Sequence, residues 1–264
     1  MKKMVIMETY QTITDKGLTV WAHGKSMIEN GSLLNESSIK IPQFKEVRKV
    51  LILWSGEVKE KTSDYTRLTL QIPRSKRITM PADKAYETKS NGILYACVAD
   101  ITEEYHGKGV YRISNIQSDP ITANDDNRPS YSCAGYSIVI VYQDPDIQES
   151  REVMIKSNLL VLKPGELHEL RLYEEETQNR IIQITTIGGH GLKGNASANL
   201  LNGISFSGTE DWDGSSGTHW DVDSVMLDPK DTREASRGYV LGFDPLLQWI
   251  YPIAVITVSR NELQ

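Results

Sequence analysis

The run Ala134-Gly-Tyr-Ser-Ile-Val-Ile-Val-Tyr142, closed by Gln-Asp-Pro145, sets the strongest limit on what this chain can fold into. β-Branched and aromatic residues follow one another almost without a break and stop on a turn signal. A strand with one wet face alternates apolar and polar residues, and this one does not. It predicts a central strand covered on both faces, the spine of a sheet inside a β-rich body.

Comparable short runs, separated by Gly, Pro, Asn and Asp, recur over nearly the whole chain. They fall at 18–22, 47–55, 67–72, 93–98, 110–116, 136–142, 151–155, 158–162, 169–173, 180–186, 203–207, 239–242 and 250–258. That cadence predicts an all-β fold, an antiparallel β-sandwich or jelly roll. Helical signals are confined to one or two short pieces. Asp100 with Glu103 three residues on fits a capping box, stopped by Gly107. Asp228-Pro229 would open a second helix running toward Ser236, because Pro suits the first helical position.

No linker divides the chain, so residues 18–264 are expected to form a single β-sandwich domain. Residues 1–17 read as an N-terminal arm ahead of the turn at Asp15-Lys-Gly17. Its apolar stretch, with Met4, Val5 and Ile6, would be free to add to a neighbour's sheet.

Composition excludes several roles. The net charge is -6, and the basic runs Lys2-Lys3, Arg48-Lys49 and Arg74-Ser-Lys-Arg77 are short and scattered. No stripe exists to neutralise a phosphate backbone, so nucleic acid is not an expected partner. No apolar segment reaches spanning length, so membrane insertion is not expected. The apolar start of the chain ends at Glu8, too early for a recognisable signal peptide.

Catalytic signals are few. His23, His106, His168, His190 and His219 form no His-x-His or His-x-x-x-His pair, and Ser137 lacks the second glycine of a nucleophile elbow. No catalytic residue is assigned, and the chain is expected not to be an enzyme. Gly188-Gly-His-Gly191 lacks the Gly-Lys-Ser/Thr ending of a phosphate loop and reads as a flexible connection. Cys97 and Cys133 lie beside expected core strands and read first as small buried hydrophobes. A disulfide between them, or to a neighbouring subunit, is the second reading.

The segment Glu210-Asp-Trp-Asp-Gly-Ser-Ser-Gly-Thr-His-Trp-Asp-Val-Asp223 gathers hard oxygen ligands on a Gly-bearing loop. Asp211, Asp213, Asp221 and Asp223 are the candidate ligands for calcium, which takes six to eight oxygens in loose geometry. The spacing is not that of an EF-hand, and the plainer reading is a solvated loop whose aspartates cap turns. No other cofactor is expected. Trp212 and Trp220 flank the loop. They would stack on a sugar, pack under the loop, or bury themselves in a subunit contact along with Trp21 and Trp249.

Four segments in order carry a family resemblance: Val50-Leu-Ile-Leu-Trp-Ser-Gly56; Tyr95-Ala-Cys-Val-Ala-Asp-Ile-Thr102 with Gly109-Val-Tyr-Arg-Ile113; the 134–145 run; and Asp221-Val-Asp223 with Tyr251-Pro-Ile-Ala254. Together they resemble the YLYWSG…YxADVT…GWSLVVVYEDP domain near the start of many bacterial and archaeal surface proteins that carry tandem conserved-repeat (DUF-eleven) domains. The likeness spans roughly residues 18 to 258, with Tyr136 where that family usually has Trp. It implies a jelly-roll-like sandwich with a structural or adhesive role. A free-standing version without signal or repeats resembles a spore appendage or outer spore-layer subunit. The expected function is self-assembly as a filament or layer on a bacterial or spore surface, with copies of itself as partner. The rival expectation is a calcium-dependent carbohydrate-binding or adhesive module.

Overall fold

The computed structural model describes residues 2–61, 65–89, 92–120, 133–173, 179–191, 194, 196–208, 210–217, 219–228 and 238–261. Among them every regular element is a strand. The chain begins with β1 (Lys3–Val5) and β2 (Glu8–Lys16), then β3 (Leu18–Ser26) and the small hairpin β4 (Ile28–Glu29) and β5 (Ser32–Leu33). Next come β6 (Glu36–Ile41), β7 (Val47–Val58), β8 (Arg67–Gln71), β9 (Arg77–Pro81), β10 (Lys84–Lys89), β11 (Ile93–Asp100), β12 (Gly109–Ser114) and β13 (Gly135–Gln143). The second half holds β14 (Ser150–Ser157), β15 (His168–Tyr173), β16 (Asn179–Gly189), β17 (Ala198–Leu201), β18 (Ile204–Ser205), β19 (Trp220–Met226), β20 (Tyr239–Asp244) and β21 (Tyr251–Asn261).

These strands build four large sheets, ordered β6-β12-β8-β9, β10-β11-β7-β13-β3, β19-β16-β21-β14-β2 and β1-β15-β20-β17-β18. Three apolar clusters lie between successive sheets, so the four stack as layers. The first cluster joins Ile39, Leu70 and Tyr111 of the outer sheet to Val50, Ile52, Trp54, Ile138 and Ile140. The second joins Leu51, Leu53, Val139 and Val141 to Val153, Ile155, Ile256 and Val258. The third joins Ile181, Ile184 and Val255 to Leu170, Leu172, Leu241 and Phe243 of the other outer sheet.

This layering explains the unbroken apolar run. In β13, Ile138 and Ile140 face one sheet while Val139 and Val141 face another. All four are fully buried, as expected for a strand covered on both sides. β7 does the same with Val50, Ile52 and Trp54 on one face and Leu51 and Leu53 on the other.

The sheets pair as two sandwiches. Residues 18–143 make the first, and residues 150–261 together with 3–16 make the second. The chain crosses between them twice, and the crossings are tied: Gly17 N–H donates to Glu149 O at 2.9 Å and Asp144 N–H to Gly17 O at 2.9 Å. Gly17 has φ +62°, and a methyl group there would lie 2.5 Å from the Asp144 carbonyl oxygen, so only glycine fits.

Several expectations are corrected. Residues 3–16 are not a free arm: β2 pairs antiparallel with β14, and β1 pairs parallel with β15. Met7 is buried in the third cluster, which gives this segment a place in its own chain. The helix after Ala99 is absent. Asp100 ends β11, and its carboxylate accepts from Thr102 N–H at 2.9 Å and from Lys49 Nζ at 2.6 Å, an Asx-type turn. An aspartate able to cap a helix serves a turn equally well, and here the lysine holds it. Of the second helix, residues 229–237 lie outside the described residues. Residues 158–162 form no regular strand. Asn158, Leu160 and Leu162 donate to the carbonyls of Ile253, Pro252 and Ile250, and Pro252 has no N–H to return.

Candidate functional site

The acidic segment closes on a strand, not on a loop. β19 is an edge strand paired antiparallel with β16. Its alternation directs Trp220 and Val222 into the cluster between the sandwiches. Asp221 and Asp223 therefore share the opposite face, where Val225 packs into the core of the second sandwich. The Trp-Asp-Val-Asp-Ser-Val alternation in the sequence carries this signal, although the Gly- and Ser-rich residues before it hide it.

Each carboxylate has a defined setting. Asp211 Oδ2 accepts from Asn199 N–H at 2.5 Å. Asp221 Oδ1 accepts from Ser215 N–H at 2.9 Å and Ser215 Oγ at 3.3 Å. Asp221 is only 1% exposed, and its Oδ2, like Asp223 Oδ2, is buried without a hydrogen-bond partner. Gly191 closes over it: a methyl group at that position would lie 1.8 Å from Asp221 Oδ2.

Burial pushes the Asp221 carboxyl up to about 7. Asp223 rises to about 8, from burial first and then from the charges of Asp221, Asp211 and Asp213. Asp211 is raised as well, again by burial. Like charges brought together in a poorly solvated site keep their protons. His219, buried with Nδ1 unpartnered, is lowered to about 4 by desolvation. Its ring sits 5.8 Å from that of His190, whose Nδ1 donates to the Trp249 carbonyl at 2.9 Å.

The arrangement is a cluster of carboxyls on the second sandwich in which burial raises Asp221, Asp223 and Asp211 above the usual carboxylate range. Among the described residues no group of three or more His, Cys, Asp or Glu side chains is placed to hold a metal ion. Of the four candidate calcium ligands, Asp211 is held by the Asn199 amide and Asp221 by Ser215.

The tryptophans are placed differently from one another. Trp212 and Trp220 are fully buried, so neither offers a ring face to a sugar or to a partner. The Trp212 indole N–H donates to Asn199 Oδ1 at 3.1 Å, and the Trp220 indole N–H to Ser137 Oγ at 3.0 Å. Trp249 is half-buried under Lys163, whose Nζ is 5.5 Å from the ring centroid. Trp21 is half-buried against Phe44, with ring centroids 5.5 Å apart.

Cys97 and Cys133 are buried thiols in different apolar clusters and form no disulfide with each other, so that reading is corrected. Gly188 and Gly189, expected in a flexible connection, end β16 instead. Their bare Cα atoms admit the Trp212 ring and Cys133. Of the expected arm residues, Val5 packs into the third cluster, while Met4 and Ile6 are 60% and 76% exposed.

No family model matches the chain, and no curated protein matches it. Among solved structures, wild-type BuGH86 in complex with neoagarooctaose is 10% identical at a TM-score of 0.28; the match covers 94% of this chain but only 33% of that one. A chain in the atomic structure of Sulfolobus Turreted Icosahedral Virus is 10% identical over 96% of this chain and 91% of its own, with a TM-score of 0.26. The peptide-N-glycosidase F of Flavobacterium meningosepticum is 11% identical over 95% and 96%, with a TM-score of 0.22. Likenesses this distant assign neither a family nor an activity.

Proposed function

We propose that this chain is a non-enzymatic structural subunit that assembles with copies of itself, as a filament or layer, on a bacterial surface such as that of a spore. One observation carries the reading: among the described residues the outer sheet of the second sandwich has two open edges, and each bears exposed apolar side chains. β1 forms one edge, with Met4 on it and Ile6 just beyond. β18 forms the other, with Ile204 67% exposed. An open edge with exposed apolar groups is a template for another strand.

Two different edges on one sheet favour a head-to-tail contact, which propagates unless its rotation closes a ring. Lysines usually guard such edges, but Lys2 and Lys3 are turned aside to Glu169 and Glu166 at 2.7 and 2.6 Å. The sequence resemblance to surface-protein domains supports the location. Because β1 and β2 belong to the chain's own sheets, point variants test assembly better than removal of the first residues.

Wild-type protein is expected to form polymers in electron micrographs and to sediment faster as concentration rises. The double variant Met4→Glu, Ile6→Glu and the single variant Ile204→Glu are each expected to be monomeric, and a mixture of the two to yield dimers only. Monomeric wild-type protein at every concentration would overturn the proposal.

A further inference from the structure

At one end of the first outer sheet three segments close around a cavity of about 620 Å³, within the usual size of a ligand pocket. They are the end of β6 with Lys40 and Pro42, the turn 72–75, and residues 106–110 entering β12. Lys40, Arg74, Lys108 and His106 line it together with the apolar surfaces of Pro42 and Val110, and no acidic residue does.

The three permanent cations are conspicuously unused. Further along the same sheet Arg77 and Arg112 both reach Glu36, at 2.6 and 3.0 Å. Lys40, Arg74 and Lys108 have no such partner among the described residues, in a chain whose net charge is -6. Three unneutralised cations converging on one concavity focus a positive field there.

The turn that presents Arg74 is built against local preference. Ser75 N–H donates to Ile72 O at 3.1 Å, with Pro73 second and Arg74 third at φ +60°. Pro followed by a residue of positive φ is a type II turn, whose third position favours glycine. Arginine in that place trades backbone ease for a guanidinium over the cavity. Gly109 closes the opposite wall: a methyl group there would lie 2.5 Å from the Pro73 ring.

We propose that this cavity binds an acidic saccharide, its carboxylates or sulfates taken by Lys40, Arg74 and Lys108 and its ring carbons lying over Pro42 and Val110. Guanidinium and ammonium groups make their strongest hydrogen bonds to such anionic oxygens. No Phe, Tyr or Trp lines the cavity to stack a nucleobase, which argues against nucleic acid. A lone phosphate would leave most of the volume empty. The cavity and the β1 edge lie on opposite outer sheets, so saccharide binding does not rest on the assembly reading.

The test is calorimetric titration of the full chain with an oligogalacturonate, a heparin-derived sulfated oligosaccharide, a neutral dextran oligosaccharide, polyglutamate and inorganic phosphate. Binding is expected for one or both acidic saccharides, weakening as salt is added, and not for dextran. Arg74→Gly is expected to weaken it by about tenfold or more while melting at the same temperature as wild type or higher, since glycine suits the turn. Lys108→Ala should weaken binding as well, and the Met4→Glu, Ile6→Glu variant should bind as wild type does. Absence of binding to either acidic saccharide, or full binding by both Arg74→Gly and Lys108→Ala, would overturn the site. Polyglutamate or phosphate binding as tightly as the saccharides would overturn the saccharide assignment, polyglutamate pointing instead to strand addition at the β6 edge.

Discussion

Raising the pH from about 6.5 to about 8.5 is expected to lower the stability of this protein by on the order of 2 kcal/mol, and Asp223→Asn to remove most of that loss. In the unfolded chain an aspartate gives up its proton near 3.8, whereas in the folded chain Asp221 holds its proton to about 7 and Asp223 to about 8. Between those limits unfolding releases protons, so rising pH favours the unfolded state. The contribution is whole below the unfolded value, fades as pH climbs through the folded values, and levels off above them.

His219 works the other way: lowered from 6.5 to about 4, its contribution is present above 6.5 and is lost as pH falls. His23 and His168, also lowered by burial, act in the same sense. The histidines therefore oppose the carboxyls below 6.5 and leave them alone above it. Each proton released is worth roughly 1.4 kcal/mol per pH unit, and two coupled carboxyls share a window little wider than one unit. Urea unfolding at the two pH values measures the effect. An unchanged midpoint in the wild type would show that the cluster is already ionised.

Trp220→Ala is expected to cost about 4 kcal/mol, within the range for emptying a buried aromatic site. The ring leaves β19 in the second sandwich and ends in a hole in the first. Methyl groups on Gly24 or Gly135 would lie 2.7 Å from its Nε1 and 2.3 Å from its Cδ2. Gly24 and Ser137 face each other across the β13–β3 ladder, and Ser137 accepts the indole proton. Truncation thus opens a cavity between the inner sheets and strands a buried hydroxyl. Trp21→Ala, at a half-buried ring on an edge strand, should cost visibly less. Equal losses in denaturant unfolding would remove Trp220 as the anchor between the sandwiches.

Much of the scaffold could be read from the chain because period and burial leave local marks. The doubly covered β13 is such a case, and so are β7, β11 and β16, whose apolar runs end near the expected places. What escaped is what depends on distant partners. Nothing in Lys3–Val5 announces a parallel pairing with β15, and nothing near Gly188 separates a supple loop from a glycine shaved to admit a tryptophan.

The aromatic anchors illustrate the same limit. Trp220 does sit at a contact between two bodies, as its size and polar edge imply, but both bodies belong to one chain. The aspartates were legible as a cluster. Their raised proton affinity was not, because it follows from burial, with Gly191 packed against Asp221, and from one another's charge, while the N–H groups of Asn199 and Ser215 pull the other way. The Lys40–Arg74–Lys108 pocket left only one local trace, an arginine where a Pro-led turn prefers glycine.

The route of the backbone also sets a schedule. As the chain leaves the ribosome, residues 18–143 are a continuous stretch that can close its sandwich at once. β2 must wait for Ser150–Ser157, and β1 for His168–Tyr173, before either finds its ladder. Such late, sequence-distant pairings are slow to form. The edge that carries Met4 is therefore among the last surfaces to exist, and a half-made chain cannot present it to a neighbour.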